Sequence, residues 1–177
     1  MVVRNANIDD ANSVRQISLD SSISRNSNEI TGFVEFETPS EEEYKIRIKD
    51  NPFFYVAEEN GEIIGFLANY TNDFLKRLKL DNDEIMKHIL VKPFLFIYSE
   101  QVAVTEKYRM KNVAQNLYKK FFNDARTNGY KIIYGVVSHH PIRNIASIKL
   151  VEKLGFREIQ EIKVYDGLVF GAYRKDL

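Results

Sequence analysis

Two tight-turn dipeptides, Asn60-Gly61 and Asp166-Gly167, most constrain the fold of this chain. Each lies between two stretches rich in β-branched and aromatic residues. Such pairs are typical of two-residue β-hairpin turns, because Asn, Asp and Gly tolerate positive φ. The sequence therefore predicts one antiparallel hairpin on each side of a middle region. The four strands are predicted at 53–57, 63–70, 158–165 and 168–173.

The region between the hairpins alternates strands with helices. The predicted elements are a strand over 94–104, a helix over 114–125 ended by Asn128-Gly129, a strand over 130–138, and a helix over 144–154 ended by Gly155. A first strand is predicted over 2–6. This order predicts a single mixed α/β (α+β) domain over residues 1–177, and not a doubly wound sheet.

The N-terminal third and the segment before the middle strand are less regular. A helix is predicted from residues 9–12, a loop over 26–38, and a helical insertion over 72–93 that ends before Pro93. Ser40 followed by three glutamates predicts a capped helix start whose acidic run is solvated. The apolar positions are Val14, Ile17 and Leu19 in the first helix, and Tyr44, Ile46 and Ile48 in the second.

Composition excludes several classes of site. Lys and Arg together number 25, as do Asp and Glu, so the net charge is zero and we expect no nucleic-acid partner. The chain has no cysteine and three histidines, of which His139 and His140 are adjacent, so no metal site is predicted. We find neither a signal peptide nor an apolar run of ~20 residues, and we therefore expect a cytoplasmic protein with no membrane contact.

Residues 99–114 carry the pattern that points to chemistry. A strand ending at Val104 leads through a short turn into a helix. The first amides of a helix have no acceptor within it, and with the helix dipole they favour an anion. Arg109 and Lys111 add two positive charges there. From these residues alone, a phosphate-binding turn and a plain strand–turn–helix with a solvated basic turn are equally good interpretations.

Two motifs, in this order, resemble the GCN5-related N-acetyltransferases (GNAT). Residues 109–114, Arg-Met-Lys-Asn-Val-Ala, resemble the family's Arg/Gln-x-x-Gly-x-Gly/Ala signature and follow Val102-Ala103-Val104. Residues 144–156 resemble its Asn-x-Ala-Ser/Ala…Gly-Phe element, and the order of elements fits residues 2–174. The resemblance implies the family fold: a mostly antiparallel mixed sheet of about seven strands, flanked by about four helices and splayed between the fourth and fifth strands.

The chain departs from the family pattern at two positions. Asn112 stands where the pyrophosphate loop has its central Gly. Asn tolerates the left-handed region best among the other residues, so we expect cofactor binding to survive with lower affinity. Val151 stands where many members carry the Tyr that serves as general acid, and valine cannot donate a proton.

The resemblance also implies acetyl-CoA as co-substrate and a set of residues that hold it. The backbone of 102–104 would hold the pantetheine arm, with a main-chain N–H facing the thioester oxygen. The basic turn would grip the pyrophosphate, and Asn144 would both cap its helix and bind the pantetheine arm. The implied cofactor residues are Val102, Ala103, Val104, Arg109, Met110, Lys111, Asn112, Val113, Ala114, Asn144 and Ser147.

Glu100 is the candidate general base. It lies two residues before Val102, which on a regular strand places the two side chains on one face. A Glu at that place in the resembling family often deprotonates the amine. The other interpretation is a surface glutamate at the end of a strand.

His139 is the second candidate catalytic residue, because a histidine titrates near neutrality and would replace a missing acid or base. At most one of His139 and His140 is able to enter the cleft, since neighbours on an extended chain face opposite ways. The other interpretation is a pair of loop histidines that cap the helix at Asn144. Tyr134 and Tyr165 are further candidate proton donors.

The sequence thus predicts an acetyl-CoA-dependent N-acetyltransferase that acts on a primary amine of a small molecule or peptide by direct attack in a ternary complex. A catalytically idle acyl-CoA-binding module is the alternative, which Asn112 and Val151 keep open. A non-acyl nucleotide binder is disfavoured, because the chain has no P-loop or Rossmann fingerprint. A homodimer is a candidate assembly because dimers are common in the family, and the 72–93 insertion is expected either to cover the site or to form that contact.

Overall fold

The computed structural model describes residues 1–27, 31–34, 36–80, 83–89 and 95–177. The helices and strands are β1 (Val2–Asn5), α1 (Ala11–Asp20), β2 (Ser22–Ile23), β3 (Phe33–Val34), α2 (Glu41–Ile48), β4 (Phe54–Glu59), β5 (Glu62–Thr71), α3 (Asn72–Arg77), α4 (Glu84–Ile89), β6 (Ile97–Val104), α5 (Val113–Thr127), β7 (Ile132–His140), α6 (Ile145–Lys153), β8 (Arg157–Val164) and β9 (Leu168–Asp176). Single 3-10 turns at Ile8–Asp10 and Glu106–Tyr108 precede α1 and α5.

Seven strands form one sheet in the order β1-β4-β5-β6-β7-β9-β8. Every neighbouring pair is antiparallel except β6 and β7, which are parallel. These two strands pair only from Ile97–Ser99 to Ile133–Gly135, although they continue to Val104 and His140. The sheet therefore opens into a V between its fourth and fifth strands, and the predicted fold class and splay are confirmed.

Both predicted hairpins form through residues with positive φ, but the second turn is one residue longer than predicted. Val164 pairs with Leu168, so Tyr165, with φ of 48°, lies in the turn and not at the end of the strand. Asn60 and Gly61 have φ of 53° and 81°, and Asp166 and Gly167 have φ of 53° and 99°. Ser40 caps α2 in a capping box with Glu43, as the acidic helix start predicted. Local residue chemistry thus determines where these elements begin and turn.

The two faces of the sheet carry separate hydrophobic cores. Helices α1 to α4 pack on one face, around Tyr44, Phe66 and Tyr70. Helices α5 and α6 pack on the other, around Leu117 and Phe121. We call these the α1–α4 face and the α5–α6 face. None of the described helices is long and apolar enough to cross a bilayer.

Several details differ from the expectations. The described residues contain six α-helices where about four were expected, and β2 and β3 form a short parallel pair partly inside the predicted 26–38 loop. Leu19 and Ile46 are 38% and 60% exposed, so they are not core positions. The 72–93 insertion forms α3 and α4, while its residues 81–82 and 90–93, like residue 94 of the predicted middle strand, lie outside the described residues.

Candidate active site

The V between β6 and β7 leads into a cavity of about 520 Å³, which lies within the size range of small-molecule sites. Its walls come from both faces of the sheet and from the open ends of β6 and β7. The insertion supplies Leu80, Asp83, Ile85 and Met86 to the wall. Of the two roles expected for the insertion, covering the site or forming a dimer contact, its place in the cavity wall favours the first.

A β-bulge decides where Glu100 points. Gln101 pairs with Ala68 while Ser99 pairs with Asn69, so Glu100 is an extra residue in β6. Its side chain therefore lies on the α1–α4 face, whereas Val102 packs on the α5–α6 face. The prediction that the two share a face is wrong, because strict alternation holds only for a strand without a bulge.

The carboxylate of Glu100 is a buried acid in the cavity wall. Its Oε2 lies 2.8 Å from Nη1 of Arg47 on α2, and the two side chains are only 15% and 14% exposed. Burial raises the pKa of Glu100, while the charge of Arg47 opposes that rise. A surface glutamate is thereby excluded, and a buried acid with a raised pKa is suited to accept a proton near neutral pH.

Gln101 offers a hydrogen-bond donor beside Glu100. Its Oε1 accepts from the Tyr44 hydroxyl at 3.2 Å, and the residue is 3% exposed in the cavity wall. Its Nε2 has no partner among the described residues. Buried polar groups are rarely left unpaired, so this amide is available to a molecule in the cavity. No pattern in the sequence points to this role for Gln101.

The edge of β6 that faces the V has open backbone groups. Thr105 N donates to Ile64 O of β5 at 2.9 Å. Successive residues of a strand present their N–H groups to opposite edges, so the amides of Val104 and Val102 face the other edge, away from β5. Because β7 has diverged there, these amides are in position to pair with an extended ligand. Ala103 between them is buried on the α1–α4 face.

The turn between β6 and α5 contains two left-handed residues. Met110 and Asn112 both have φ of 62°. Asn112 Oδ1 accepts from Gln115 Nε2 at 2.8 Å and makes no capping hydrogen bond. The backbone bonds of α5 begin with Asn116 N, which donates to Asn112 O at 3.0 Å, so the three preceding amides, those of residues 113–115, have no partner within the helix.

Basic side chains surround this turn. Lys107 and Lys111 place Nζ 5.4 and 5.2 Å from the centre of the Tyr108 ring. Arg109 Nε donates to Val104 O at 3.3 Å, which holds the guanidinium beside the end of β6. Val113 is buried and anchors the helix start. Uncommitted amides, a helix dipole and three cations therefore meet at one exposed place, an arrangement that can bind a phosphate group.

The N-terminus of α6 is closed by its own cap. Asn144 Oδ1 accepts from Ser147 N at 3.0 Å, and its Nδ2 donates to Gly32 O at 3.2 Å. The predicted cap is confirmed, and both residues line the cavity. The interpretation of His139 and His140 as loop residues that cap this helix is wrong, since both lie in β7.

The two histidines lie in different surroundings. His140 is exposed, while the His139 side chain is 3% exposed and bonds Glu161 through Nδ1 and Tyr173 through Nε2. Of the His139–Tyr173 pair, Tyr173 is the one that lines the cavity. Among the described residues His139 does not line the cavity, and its contact with the cavity wall is the hydrogen bond to Tyr173.

Of the two other candidate proton donors, Tyr134 and Tyr165, only Tyr165 lines the cavity. Tyr134 packs against Phe96 in the core of the α1–α4 face, away from the cavity. Tyr165 lines the cavity, and its hydroxyl is bonded to Asp83. Sequence reasoning missed Tyr118 and Tyr173, which line the cavity together with Val151. Their strand and helix patterns look like those of ordinary core residues, so no local signal distinguishes them.

Comparisons with known proteins agree with this geometry. The N-acetyltransferase from Staphylococcus aureus Mu50 is 20% identical, with a TM-score of 0.68, covering 99% of this chain and 97% of that one. The ribosomal-protein-alanine N-acetyltransferase from Brucella melitensis is 18% identical, with a TM-score of 0.69 and full coverage of both chains. Ard1 from Thermoplasma volcanium is 15% identical, with a TM-score of 0.72 and coverage of 99% and 97%. These likenesses concern the fold.

A search of curated protein sequences found no match. A model of the acetyltransferase (GNAT) family, by contrast, matches residues 20–156, which include the basic turn, the bulged strand and the capped start of α6. The resemblance read from the two motifs is thereby confirmed: this chain belongs to the GNAT family of acetyltransferases.

Proposed function

We propose that this chain is an acetyl-CoA-dependent N-acetyltransferase that transfers the acetyl group to a primary amine of a small molecule or peptide, by direct attack in a ternary complex. The observation that carries the proposal is the V between β6 and β7. It leaves an unpaired strand edge that leads toward a helix start with uncommitted amides and basic neighbours.

The α5–α6 face and the turn hold acetyl-CoA in this proposal. The amides of Val102 and Val104 pair with the pantetheine arm and one faces the thioester oxygen, while residues 109–114 bind the pyrophosphate. Left-handed Asn112 adopts the conformation for which the family uses Gly, which supports binding without that Gly. Asn144 and Ser147 border the same cavity from α6.

The α1–α4 face holds the amine. Glu100 accepts the proton that the attacking nitrogen must lose, and its raised pKa suits that role. The bulge supports this assignment, since it places Glu100 across the sheet from the side chains of the proposed pantetheine strand. Glu37 and Asp83, also in the wall, favour a cationic amine, with Arg25 as the opposing charge.

Glu100→Gln tests the base. We expect acetyl transfer to slow by roughly 10²-fold or more with little change in acetyl-CoA affinity, because a base is needed only in the chemical step. The matched control is Glu58→Gln, which removes the charge of another Arg-paired glutamate, bonded to Arg4 at 2.9 Å on β4. Thiol release measured with an amine panel gives the rate, and equal turnover in Glu100→Gln would remove Glu100 from the mechanism.

The pH profile gives a second measure of the same group. The ionised form of a base is the active one, so kcat/KM should rise with pH through a pKa above the usual glutamate range. Arg47 lowers that pKa, and Arg47→Gln should therefore move the rising limb to higher pH. A limb that stays in place would show that the titrating group is not Glu100.

The alternative is a catalytically idle acyl-CoA-binding module, which Val151 favours because valine cannot donate a proton. This alternative predicts that the chain binds acyl-CoA without turnover. A thermal-shift titration with acetyl-CoA, CoA and ATP tests the shared cofactor assignment. A ligand at about 100 times its Kd raises Tm on the order of 5–10 °C for a domain of this size. A rise with both CoA species and release of free CoA only when amines are present would support the enzyme. A rise without any release would support the idle module.

A further inference from the structure

A tyrosine of the described cavity wall is linked through a histidine to the protein surface. Tyr173 on β9 lines the cavity, and its hydroxyl lies 3.2 Å from Nε2 of His139 on β7. Nδ1 of the same ring lies 3.0 Å from Oε1 of Glu161 on β8, whose side chain is 55% exposed. Three neighbouring strands thus connect the cavity to solvent through three hydrogen-bonded side chains.

The ring of His139 fits here because its neighbour is a glycine. A Cβ atom on residue 171 would lie 2.4 Å from His139 Nε2, which is too close for two atoms that are not bonded, and 3.0 Å from the Tyr173 ring, which is a tight contact. Gly171 therefore leaves the space that lets the imidazole meet the Tyr173 hydroxyl. The φ of Gly171 is not in the left-handed region, so space is the reason for glycine at this position.

Hydrogen-bond chemistry fixes the direction of this chain. The carboxylate of Glu161 only accepts, so Nδ1 of His139 carries a proton. When Nε2 is also protonated it donates to the Tyr173 oxygen, and the Tyr173 proton is then free to point elsewhere, as in its bond to Glu158 Oε2 at 3.3 Å. The His139 imidazole and the carboxylates of Glu158 and Glu161 lie within 4.8 Å of one another, a spacing that would also suit a metal ion. Both ring nitrogens already have hydrogen-bond partners, however, so we interpret the group as a proton-transfer chain.

We propose that Tyr173 is the catalytic proton donor to the departing thiolate, and that His139 and Glu161 are positioning residues that restore its proton. This inference rests on the proposed acetyl transfer and supplies the donor that Val151 does not provide. As the amine nitrogen forms the C–N bond, the C–S bond breaks and its electron pair stays on sulfur. The Tyr173 O–H proton passes to that sulfur, and Tyr173 takes the Nε2 proton of His139.

The balance closes through solvent. His139 becomes neutral and keeps its Nδ1 proton, which it donates to Glu161. Once the thiol has left, water that enters the cavity protonates the Tyr173 oxygen, and the Tyr173 hydroxyl passes a proton to Nε2 of His139. Glu100 takes the proton that the amine loses and releases it to solvent before the next turnover. Burial, then Glu158, raises the pKa of Tyr173 to about 12, so the hydroxyl is protonated whenever a thiolate arrives.

Tyr118 is the competing donor, because it also lines the cavity. It is bonded to Ser99 Oγ at 3.1 Å, and both groups are buried. Ser99 is a neutral hydroxyl, and this hydrogen bond connects Tyr118 to no titratable group. Tyr118 therefore has no neighbour like His139 that would replace a proton it gives up. The charged groups facing His139, by contrast, are Glu161 and, through Tyr173, Glu158, with Arg143 and Lys163 acting on Glu161.

The first test needs no acceptor amine. In ¹⁵N-histidine NMR of the whole protein, His139→Gln assigns the His139 signals, and exposed His88 serves as the internal reference. We expect CoA to shift the His139 Nε2 signal, desulfo-CoA to shift it far less, and Tyr173→Phe to abolish the difference. Equal shifts with both ligands would overturn the proton-donor proposal while leaving cofactor binding intact. No shift with either, together with no thermal shift, would overturn the proposed function itself.

Kinetics with an accepted amine give the second test. Tyr173→Phe should lower kcat by about 10²-fold with KM for acetyl-CoA nearly unchanged. Tyr55→Phe is the matched control, since it removes a buried hydroxyl bonded to Asp124 at 2.9 Å away from the cavity. His139→Gln should lower kcat with KM for acetyl-CoA nearly unchanged, and it should lower kcat no further when combined with Tyr173→Phe, whereas the loss from a purely structural residue would add to that of Tyr173→Phe. A larger loss in Tyr118→Phe than in Tyr173→Phe would assign the proton donor to Tyr118 instead.

Discussion

Helices α5 and α6 are each preceded by an Asn, yet the backbone amides at their N-termini differ in whether a side chain caps them. Asn112 before α5 has φ of 62° and ψ of 12°, and its side chain bonds Gln115 Nε2. Asn144 before α6 has φ of −75° and ψ of 78°, and its side chain accepts from Ser147 N. One helix start leaves its first amides open, and the other uses its side chain to close one of them.

The difference shows that backbone conformation, and not residue identity, decides whether a helix start is available to a ligand. An Asn in the extended or bridge region directs its side chain to the amides that follow and stabilises the helix. An Asn in the left-handed region turns the chain so that the amides face outward. The open start is also the one beside Arg109 and Lys111, so charge and geometry agree there.

The largest expected effect is on CoA affinity, and it comes from reversing the charges beside the open start of α5. Arg109→Glu combined with Lys111→Glu should weaken CoA binding by roughly 10²-fold or more, because two charge-assisted contacts become repulsive. Isothermal titration calorimetry measures the change. The double variant Lys119→Glu and Lys131→Glu alters the net charge equally at exposed positions elsewhere. If both double variants lose the same affinity, only overall charge matters and the pyrophosphate assignment is wrong.

A smaller effect should follow from the conformation of Asn112. Val resists the left-handed region by ~1–2 kcal/mol, so Asn112→Val should lower CoA affinity about tenfold as the turn rearranges. Asn112→Gly should bind CoA at least as tightly as the native chain, since Gly adopts positive φ freely. The same calorimetric titration compares them, and equal affinity in the Val and Gly variants would show that the amides do not contact the ligand.

The smallest effect concerns the closed helix start. Asn144→Ala should lower the free energy of unfolding by about 1 kcal/mol through loss of the cap. Asn112→Gly should leave it unchanged or higher, because no capping bond is lost there and φ is positive. Urea unfolding followed by circular dichroism gives both values. A comparable loss in the two variants would contradict the distinction between an open and a closed start.

Most of the fold could be read from local residue chemistry. Both dipeptides lie in hairpin turns, of two residues at Asn60-Gly61 and of three at Asp166-Gly167, and Ser40 and Asn144 cap their helices, because each of these preferences acts over a few residues. The motif at 109–114, which we propose binds the cofactor, is visible in the sequence for the same reason, since its residues are contiguous. Local patterns failed at Leu19 and Ile46, which are apolar yet exposed, because burial depends on what packs against a helix.

The rest of the site was decided by the tertiary structure. The bulge at Glu100 follows from the register between β5 and β6, which no single strand encodes, and it moved the candidate base to the opposite face. The chain from Tyr173 through His139 to Glu161 joins residues of three strands, and the first two residues are 34 positions apart in the sequence. The sequence by itself determined the elements, the turns and the motif at 109–114, because those depend on neighbours along the chain. Only the folded sheet decided which side chains meet at the cavity, because that depends on pairing and packing between distant segments.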